Sequence, residues 1–381
     1  MSQVEKVKGV LRNEKADALL VWNHEGSGQP ATAWLSGFMG TASVLLITRT
    51  KQVLITDGRY TAQSRKEAKG FKVFITSGQK SAFGMLDRII RKEKMRKILF
   101  DGAVTAYSVA EKLKQHITPP QPSPLKREGS KPELISKNGV LQELRLVKEK
   151  GEIRILAEAA RRAGRAFTRL VPLVKVGMTE KEIAEKLETL CKEEGAEGFA
   201  FPTSVASGKN GALPHAKSTD KKVKKGELIT VDFGIKYRGY CSDMTRMLAV
   251  GKVSPRLRAI FEAVKKAQEL ACKKAKAGMT GKEIDMLCRN YLIKKGLGKY
   301  FTHSTGHGVG MEVHELPVVS SLRNEKIPAG AVITIEPGVY IPNVGGARIE
   351  DALVLTKTGS KNLSKGVPAM LTTVPVTSHH T

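Results

Sequence analysis

Gly226-Glu-Leu-Ile-Thr-Val-Asp232-Phe-Gly234 and Gly330-Ala-Val-Ile-Thr-Ile-Glu336-Pro-Gly338 are near-copies of one another. Each is an apolar, strand-forming run that delivers one acidic residue just before a turn. A second acid follows each copy, Asp243 after the first and Glu350 after the second. Four carboxylates placed this way in a duplicated unit form a candidate cage for metal ions. The duplication extends upstream, where Gly177-Met-Thr-Glu-Lys-Glu-Ile183 recurs as Gly278-Met-Thr-Gly-Lys-Glu-Ile284, an offset of 101 residues against 104 for the strands. Both stretches read as a Gly-Met loop, a Thr N-cap and a helix, with Glu182 or Glu283 completing a capping box. A period of about 100 residues is too long for a solenoid. It implies two related half-domains about a pseudo-two-fold axis, with a shared site on that axis.

The spacing of the acids predicts hairpins. Asp232 and Asp243 are equidistant from a point between Tyr237 and Arg238, next to Gly239, so an unbulged hairpin makes them direct cross-strand partners about 5 Å apart. Glu336 and Glu350 are likewise equidistant from Asn343, inside Pro342-Asn-Val-Gly-Gly346. Like-charged pairs on buried strands are unfavourable unless cations or protons relieve them. Exposed acids that merely keep each strand soluble are the plainer alternative, which the apolar runs beside them disfavour.

The remaining composition sets limits. The chain has 381 residues, enough for two domains, and its 41% hydrophobic content is ordinary for a globular protein. Residues 1–15 are charged on both signs without a signal-peptide core, and no segment approaches the ~18 apolar residues of a membrane span. Cys191, Cys241, Cys272 and Cys288 show no Cys-x-x-Cys pairing and read as reduced thiols of a cytoplasmic protein. Cys241 is read as a small buried thiol rather than a metal ligand. The net charge of +27 permits an anionic partner such as nucleic acid, but no aromatic residues interleave with the lysine runs, and solvated faces explain them better.

From the N-terminus, helix and strand alternate: a helix over 4–15, strands over 18–21, 44–48, 52–56, 73–76 and 97–100, and helices opening at Asp57-Gly58-Arg59-Tyr60 and spanning 83–93 and 104–115. This predicts an α/β domain over 1–133, whose end, 117–133, is a proline-rich loop. A second domain, α+β, is expected over 134–375, entered by an amphipathic helix from Lys148.

Histidine adds the next layer. Three fall in Phe301-Thr-His303-Ser-Thr-Gly-His307-Gly-Val-Gly-Met-Glu-Val-His314-Glu-Leu-Pro317, and His215 follows Asn210-Gly-Ala-Leu-Pro214. Glycines on both sides of His307 let backbone approach a ligand closely. His24, His116, His379 and His380 stand alone and are assigned no role.

In order, Asp232, Asp243, His307, Glu336 and Glu350, together with Glu-Pro-Gly and Arg348-Ile-Glu350-Asp, resemble the pita-bread metallopeptidases, most of all the proline peptidases aminopeptidase P and prolidase. Trp34-Leu-Ser-Gly-Phe38 and Ile55-Thr-Asp-Gly-Arg-Tyr60 resemble that branch's non-catalytic N-terminal domain. The resemblance implies a pita-bread second domain with duplicated halves. It implies that Asp232 binds one ion, that Asp243 and Glu350 bridge two, and that His307 and Glu336 complete the second. Such an oxygen-rich set suits Mn²⁺, while Co²⁺, Zn²⁺ or Fe²⁺ would also fit. Glu336 is the implied proton shuttle, His215 and His314 the donors to substrate, and His303 a wall of the proline subsite. Arg348 and Thr245 are expected to orient the carboxylates. The implied activity is removal of the residue preceding proline from peptides with proline in second position, by a homodimer. Prolidases often place an Arg soon after His-Glu; this chain has Leu316-Pro-Val-Val319 there, and although Arg323 could substitute, the simpler reading is that nothing insists on a free carboxylate, which favours the aminopeptidase over the dipeptidase. A non-catalytic nucleic-acid binder is the remoter alternative.

Overall fold

The computed structural model describes residues 2–27, 29–77, 79–117, 132–367 and 369–374. Most of the expected proline-rich loop, with His379 and His380, lies outside them. The chain divides into two compact units, Met1–Leu144 and Arg145–Thr381.

The first unit is built on a six-stranded sheet in the order Lys72–Thr76, Gln52–Asp57, Ser43–Thr48, Ala18–Asn23, Lys97–Phe100 and Glu133–Ser136. Ser43–Thr48 runs antiparallel to both neighbours and all other pairings are parallel. The runs Ala-Leu-Leu-Val-Trp and Val-Leu-Leu-Ile are buried residue after residue, as strands covered on both faces require. Helix Gln3–Asn13 starts at Ser2, whose hydroxyl accepts from the Glu5 N–H. At Asp57 the side chain caps a single 3₁₀ turn, Gly58–Tyr60, which leads into helix Thr61–Glu67. Sequence reasoning missed helix Ala31–Ser36, a six-residue piece ended by Gly37 at φ 77°. The boundary expected after residue 133 falls after Leu144, because Glu133–Ser136 pairs in parallel with Lys97–Phe100 as the sheet's edge strand.

The second unit shows the duplication directly. Helices Glu180–Glu193 and Gly281–Lys294 both begin with complete capping boxes, Thr179 with Glu182 and Thr280 with Glu283. Gly177 and Gly278, each at φ 88°, turn the chain into them. An isolated bridge joins Thr179 to Lys222, and another joins Thr280 to Lys326, at the same offsets of 101 and 104 that the sequence carries. Each half folds on its own sheet: Thr372–Val374, Met244–Val250, Leu228–Phe233 and Ser204–Ser207 in one, and Glu315–Val319, Gly306–Gly308, Val332–Ile335, Asp351–Leu355 and Ser360–Asn362 in the other. Helices Lys150–Leu170 and Glu180–Glu193 supply the first core, where Phe167 stacks on Phe233 at 5.5 Å. Pro255–Lys274 and Gly281–Lys294 supply the second. The halves meet where the Glu350 N–H donates to the Thr245 carbonyl at 3.2 Å. That seam carries the acids.

Candidate metal centre

The local register decides where each acid points. Leu228–Phe233 pairs with Met244–Val250 so that Asp232 lies opposite Thr245. The expected direct pairing of Asp232 with Asp243 is therefore wrong by two residues. The hairpin turns on Arg238 and Gly239, both at positive φ (49° and 75°), in the manner of a type I′ turn, which moves its centre one residue along. Asp243 sits diagonally from Asp232, just outside the paired strand. In the second half, Ile335 lies opposite Asp351 and Gly338 opposite Arg348, so Glu336 and Glu350 face one another in the expected register.

These strands bring the acids together. Ligand atoms of Asp243, His307 and Glu350 all lie within 4.8 Å of one another. His307 Nε2 stands 3.6 Å from Asp243 Oδ2 and 3.2 Å from Glu336 Oε1. Its Nδ1 lies 3.1 Å from the Gly308 carbonyl, to which it donates, so Nε2 is the nitrogen that faces the acids, donating to Glu336 when protonated and free to offer its lone pair to a cation when not. Asp232 Oδ2 accepts from Arg348 at 2.6 Å, while its Oδ1 is buried with no partner. Thr245 Oγ1 donates to Glu350 Oε2 at 2.8 Å and accepts from Arg348 Nε at 3.1 Å, so one hydroxyl ties the two hairpins together. Thr334 Oγ1 does similar duty, donating to Glu336 Oε1 and accepting from the His307 N–H.

Charge is held here under tension. Burial pushes the Asp243 carboxyl well above the usual range, and the nearby Glu350 and Asp232 push it further. Glu350 is raised in the same way, by burial and then by Glu336 and Asp232. Burial also raises Asp232, against the lowering by the Arg348 guanidinium, and the nearby Glu336 adds to the rise. Burial alone would raise Glu336, but its hydrogen bond and charge interaction with His307 hold it low. Burial alone would lower His307, yet Glu336 and Glu350 bring it up to about 9. Without a cation, the cluster must therefore hold protons or repel itself. A site with four carboxylates, one imidazole and an orphaned carboxylate oxygen fits hard divalent cations. Cys241, close by in sequence, is buried; its thiol donates to the Met311 carbonyl and burial pushes it up to about 12, the profile of an inert structural thiol.

The other histidines stand around this centre in different ways. His303 Nδ1 lies 2.7 Å from the Ser304 carbonyl and its Nε2 accepts from the Tyr340 hydroxyl at 2.9 Å. That hydroxyl accepts in turn from Arg348 Nη1 at 2.8 Å, and Nη1 also donates to the Pro214 carbonyl, next to His215. Arg348 thus joins Asp232, Thr245, Tyr340 and the His215 segment. His314 is exposed, its ring packed edge-on against His307 with centroids 4.2 Å apart. Partial desolvation of the ring where it meets its neighbours, then the nearby His307, keeps His314 below its ordinary pKa. Tyr340 was not singled out from the sequence; its only trace there is its place in the strand directly after Glu336-Pro-Gly338.

The sequence signature of metallopeptidase family M24 matches residues 154–357, and that of the creatinase/prolidase N-terminal domain matches residues 3–147. An uncharacterized peptidase of Bacillus subtilis is 36% identical over 362 residues, 95% of this chain and 97% of its own length. A Xaa-Pro dipeptidase of Pyrococcus horikoshii is 43% identical over 241 residues, 63% of this chain and 69% of its own length. The crystal structure of an X-Pro aminopeptidase from Thermotoga maritima superposes with a TM-score of 0.87 at 37% identity, covering 95% of this chain and all of that one. With the acids, His307 and the duplicated halves already in place, these likenesses settle the family: the chain belongs to metallopeptidase family M24 and carries a creatinase/prolidase N-terminal domain.

Proposed function

We propose that this metallopeptidase hydrolyses the bond between an N-terminal residue and a following proline, acting as an aminopeptidase on peptides longer than two residues. The observation that carries the proposal is the convergence of Asp243, His307 and Glu350 within 4.8 Å, flanked by Asp232 and Glu336. These five residues would hold two divalent ions, with Mn²⁺ the favoured species for so oxygen-rich a set. When bound, such ions supply an activated water and polarise the scissile carbonyl. Glu336, steadied at Oε1 by Thr334, takes up and returns the proton that travels from water to the leaving nitrogen. His314 and His215 donate to the substrate and to the charge that develops on its carbonyl oxygen. His303, locked between Ser304 and Tyr340, forms a wall for the proline ring.

A second reading, dipeptidase action, draws on the 43% identity to the Pyrococcus horikoshii Xaa-Pro dipeptidase. The aminopeptidase is preferred because Leu316-Pro-Val-Val319 offers no cation to hold a dipeptide's carboxylate. Comparing Xaa-Pro with Xaa-Pro-Yaa hydrolysis by the Mn²⁺-loaded protein decides between them, and turnover confined to dipeptides reverses the choice. The reading extends to a homodimer in the cytoplasm. The free thiols of all four cysteines support that compartment, and sedimentation velocity tests the dimer. No helix among the described residues is long and apolar enough to cross a membrane.

A further inference from the structure

Arg145 and Lys148 are cations whose side chains are only 3% and 1% exposed. Charges so deeply buried survive only when well partnered. Lys148 Nζ donates to Glu315 Oε1 at 2.5 Å. Arg145 Nε stands 3.6 Å from Glu315 Oε2, and its Nη2 donates to Glu312. Glu315 itself is 2% exposed in its side chain. The two acids bracket His314, one neighbouring it and the other two residues before it.

The same loop is gripped from a second side. The Cys241 N–H donates to the Gly310 carbonyl at 2.7 Å, and the Gly310 N–H donates to the Glu312 carbonyl at 3.0 Å. A Cβ at residue 310 would lie 2.3 Å from Glu315 Oε1, so any larger residue there would push that carboxylate away from its cations. The Lys148 N–H also donates to the Gly330 carbonyl, which anchors the cation's backbone at the entrance to strand Val332–Ile335. An exposed imidazole therefore rides on a loop whose underside is a buried, ion-paired clamp.

We propose that Arg145 and Lys148 are positioning residues for the reaction, fixing His314 over the metal centre through Glu312 and Glu315. The inference rests on the role given to His314 above and adds the device that makes that role geometrically reliable. Neither cation touches the acids of the centre, so they act through the loop. A displacement of about 1 Å in a donor of this kind costs on the order of 100-fold in rate.

The test is a double-mutant cycle on the full-length, Mn²⁺-loaded protein, reading kcat/KM on an Xaa-Pro-Yaa peptide together with bound metal. Lys148→Met is expected to lower kcat/KM by about 10- to 100-fold with metal content unchanged. In a His314→Ala background it is expected to cause no further loss, because the residue it positions is gone. Should Lys148→Met leave Glu315 uncompensated and fail to fold, Lys148→Met/Glu315→Gln removes both charges together and carries the same expectation. Wild-type kcat/KM in the folded variant, an equal fold-loss with and without His314, or loss of metal would each overturn the inference. Full activity in His314→Ala alone would instead overturn the role of His314, a separate failure.

Discussion

Replacing Asp243 with asparagine should stabilise the metal-free protein while abolishing its response to metal. Asp243 and Glu350 offer oxygens within 4.8 Å of one another, and both are buried. At that distance, with an effective dielectric constant of ~20, two full charges repel by about 3.5 kcal/mol. The raised pKa of both groups means that the metal-free protein escapes part of this cost by retaining protons, leaving about 1–2 kcal/mol to be recovered. For a unit of this size that corresponds to a rise of about 2–8 °C in melting temperature. Metal reverses the order. At 100 times the dissociation constant, wild type should gain about 2.7 kcal/mol from Mn²⁺. Asp243→Asn, lacking one of the carboxylates proposed to hold the ions, should gain little. Thermal melts of both proteins, in chelator and in Mn²⁺, make the comparison, with metal content measured in parallel. If metal-free Asp243→Asn melts below metal-free wild type, or if both gain equally from Mn²⁺, repulsion among these acids is not what the site stores.

Thr245→Val deletes the donor to Glu350 Oε2 and the acceptor of Arg348 Nε, and should weaken metal binding by about 10- to 100-fold in a chelator competition; an unchanged affinity contradicts the orienting role. Tyr340→Phe leaves His303 Nε2 and Arg348 Nη1 each short of one buried hydrogen bond, at a cost of about 1–3 kcal/mol in a denaturant titration. It should also lower kcat/KM with metal retained, and unaltered stability and kinetics would discount the link. For pH, Asp243 and Glu350 have folded pKa values raised above their unfolded values near 4, and His307 is raised to about 9. Groups raised in this direction add stability at low pH and lose it as pH climbs through their folded values. Metal-free protein should therefore soften from about pH 4 toward pH 9, and Mn²⁺, which needs deprotonated ligands, should oppose that trend; metal-free melting temperatures that rise across this window would refute the sign.

What was legible in the chain follows from the range over which each feature is encoded. The capping boxes at Thr179 and Thr280 are local in sequence, and their 101-residue offset reappears unchanged as the Thr179–Lys222 and Thr280–Lys326 bridges. The Glu336–Glu350 register was legible because the Pro342–Gly346 loop has an obvious centre at Asn343, which adopts φ 62°. The Asp232–Asp243 register was not, because the turn places Arg238 at positive φ, where a non-glycine residue gives no compositional sign of the turn's centre. The clamp under His314 was hidden for another reason. Lys148 and Glu315 are 167 residues apart, and a lone lysine before a helix looks the same in sequence whether solvated or buried. Tyr340 was hidden likewise, since only the folded hairpins reveal that its hydroxyl lies between Arg348 and His303.

The same distinction separates the acids from the residues that aim them. Metal-binding carboxylates must be of one chemical type at spaced positions, so a duplicated chain displays them twice. Their supports need only reach a particular atom in the folded protein, and a threonine hydroxyl, a tyrosine hydroxyl and a proline carbonyl all do so through Arg348. Tolerance to substitution should follow this division. At Thr245, serine keeps the hydroxyl that both donates to Glu350 and accepts from Arg348, whereas valine keeps the shape and loses both bonds. Metal affinity should consequently rank wild type with Thr245→Ser and set Thr245→Val below them. If serine and valine weaken binding alike, what this position supplies is the methyl group's packing, and the orienting hydrogen bonds are incidental.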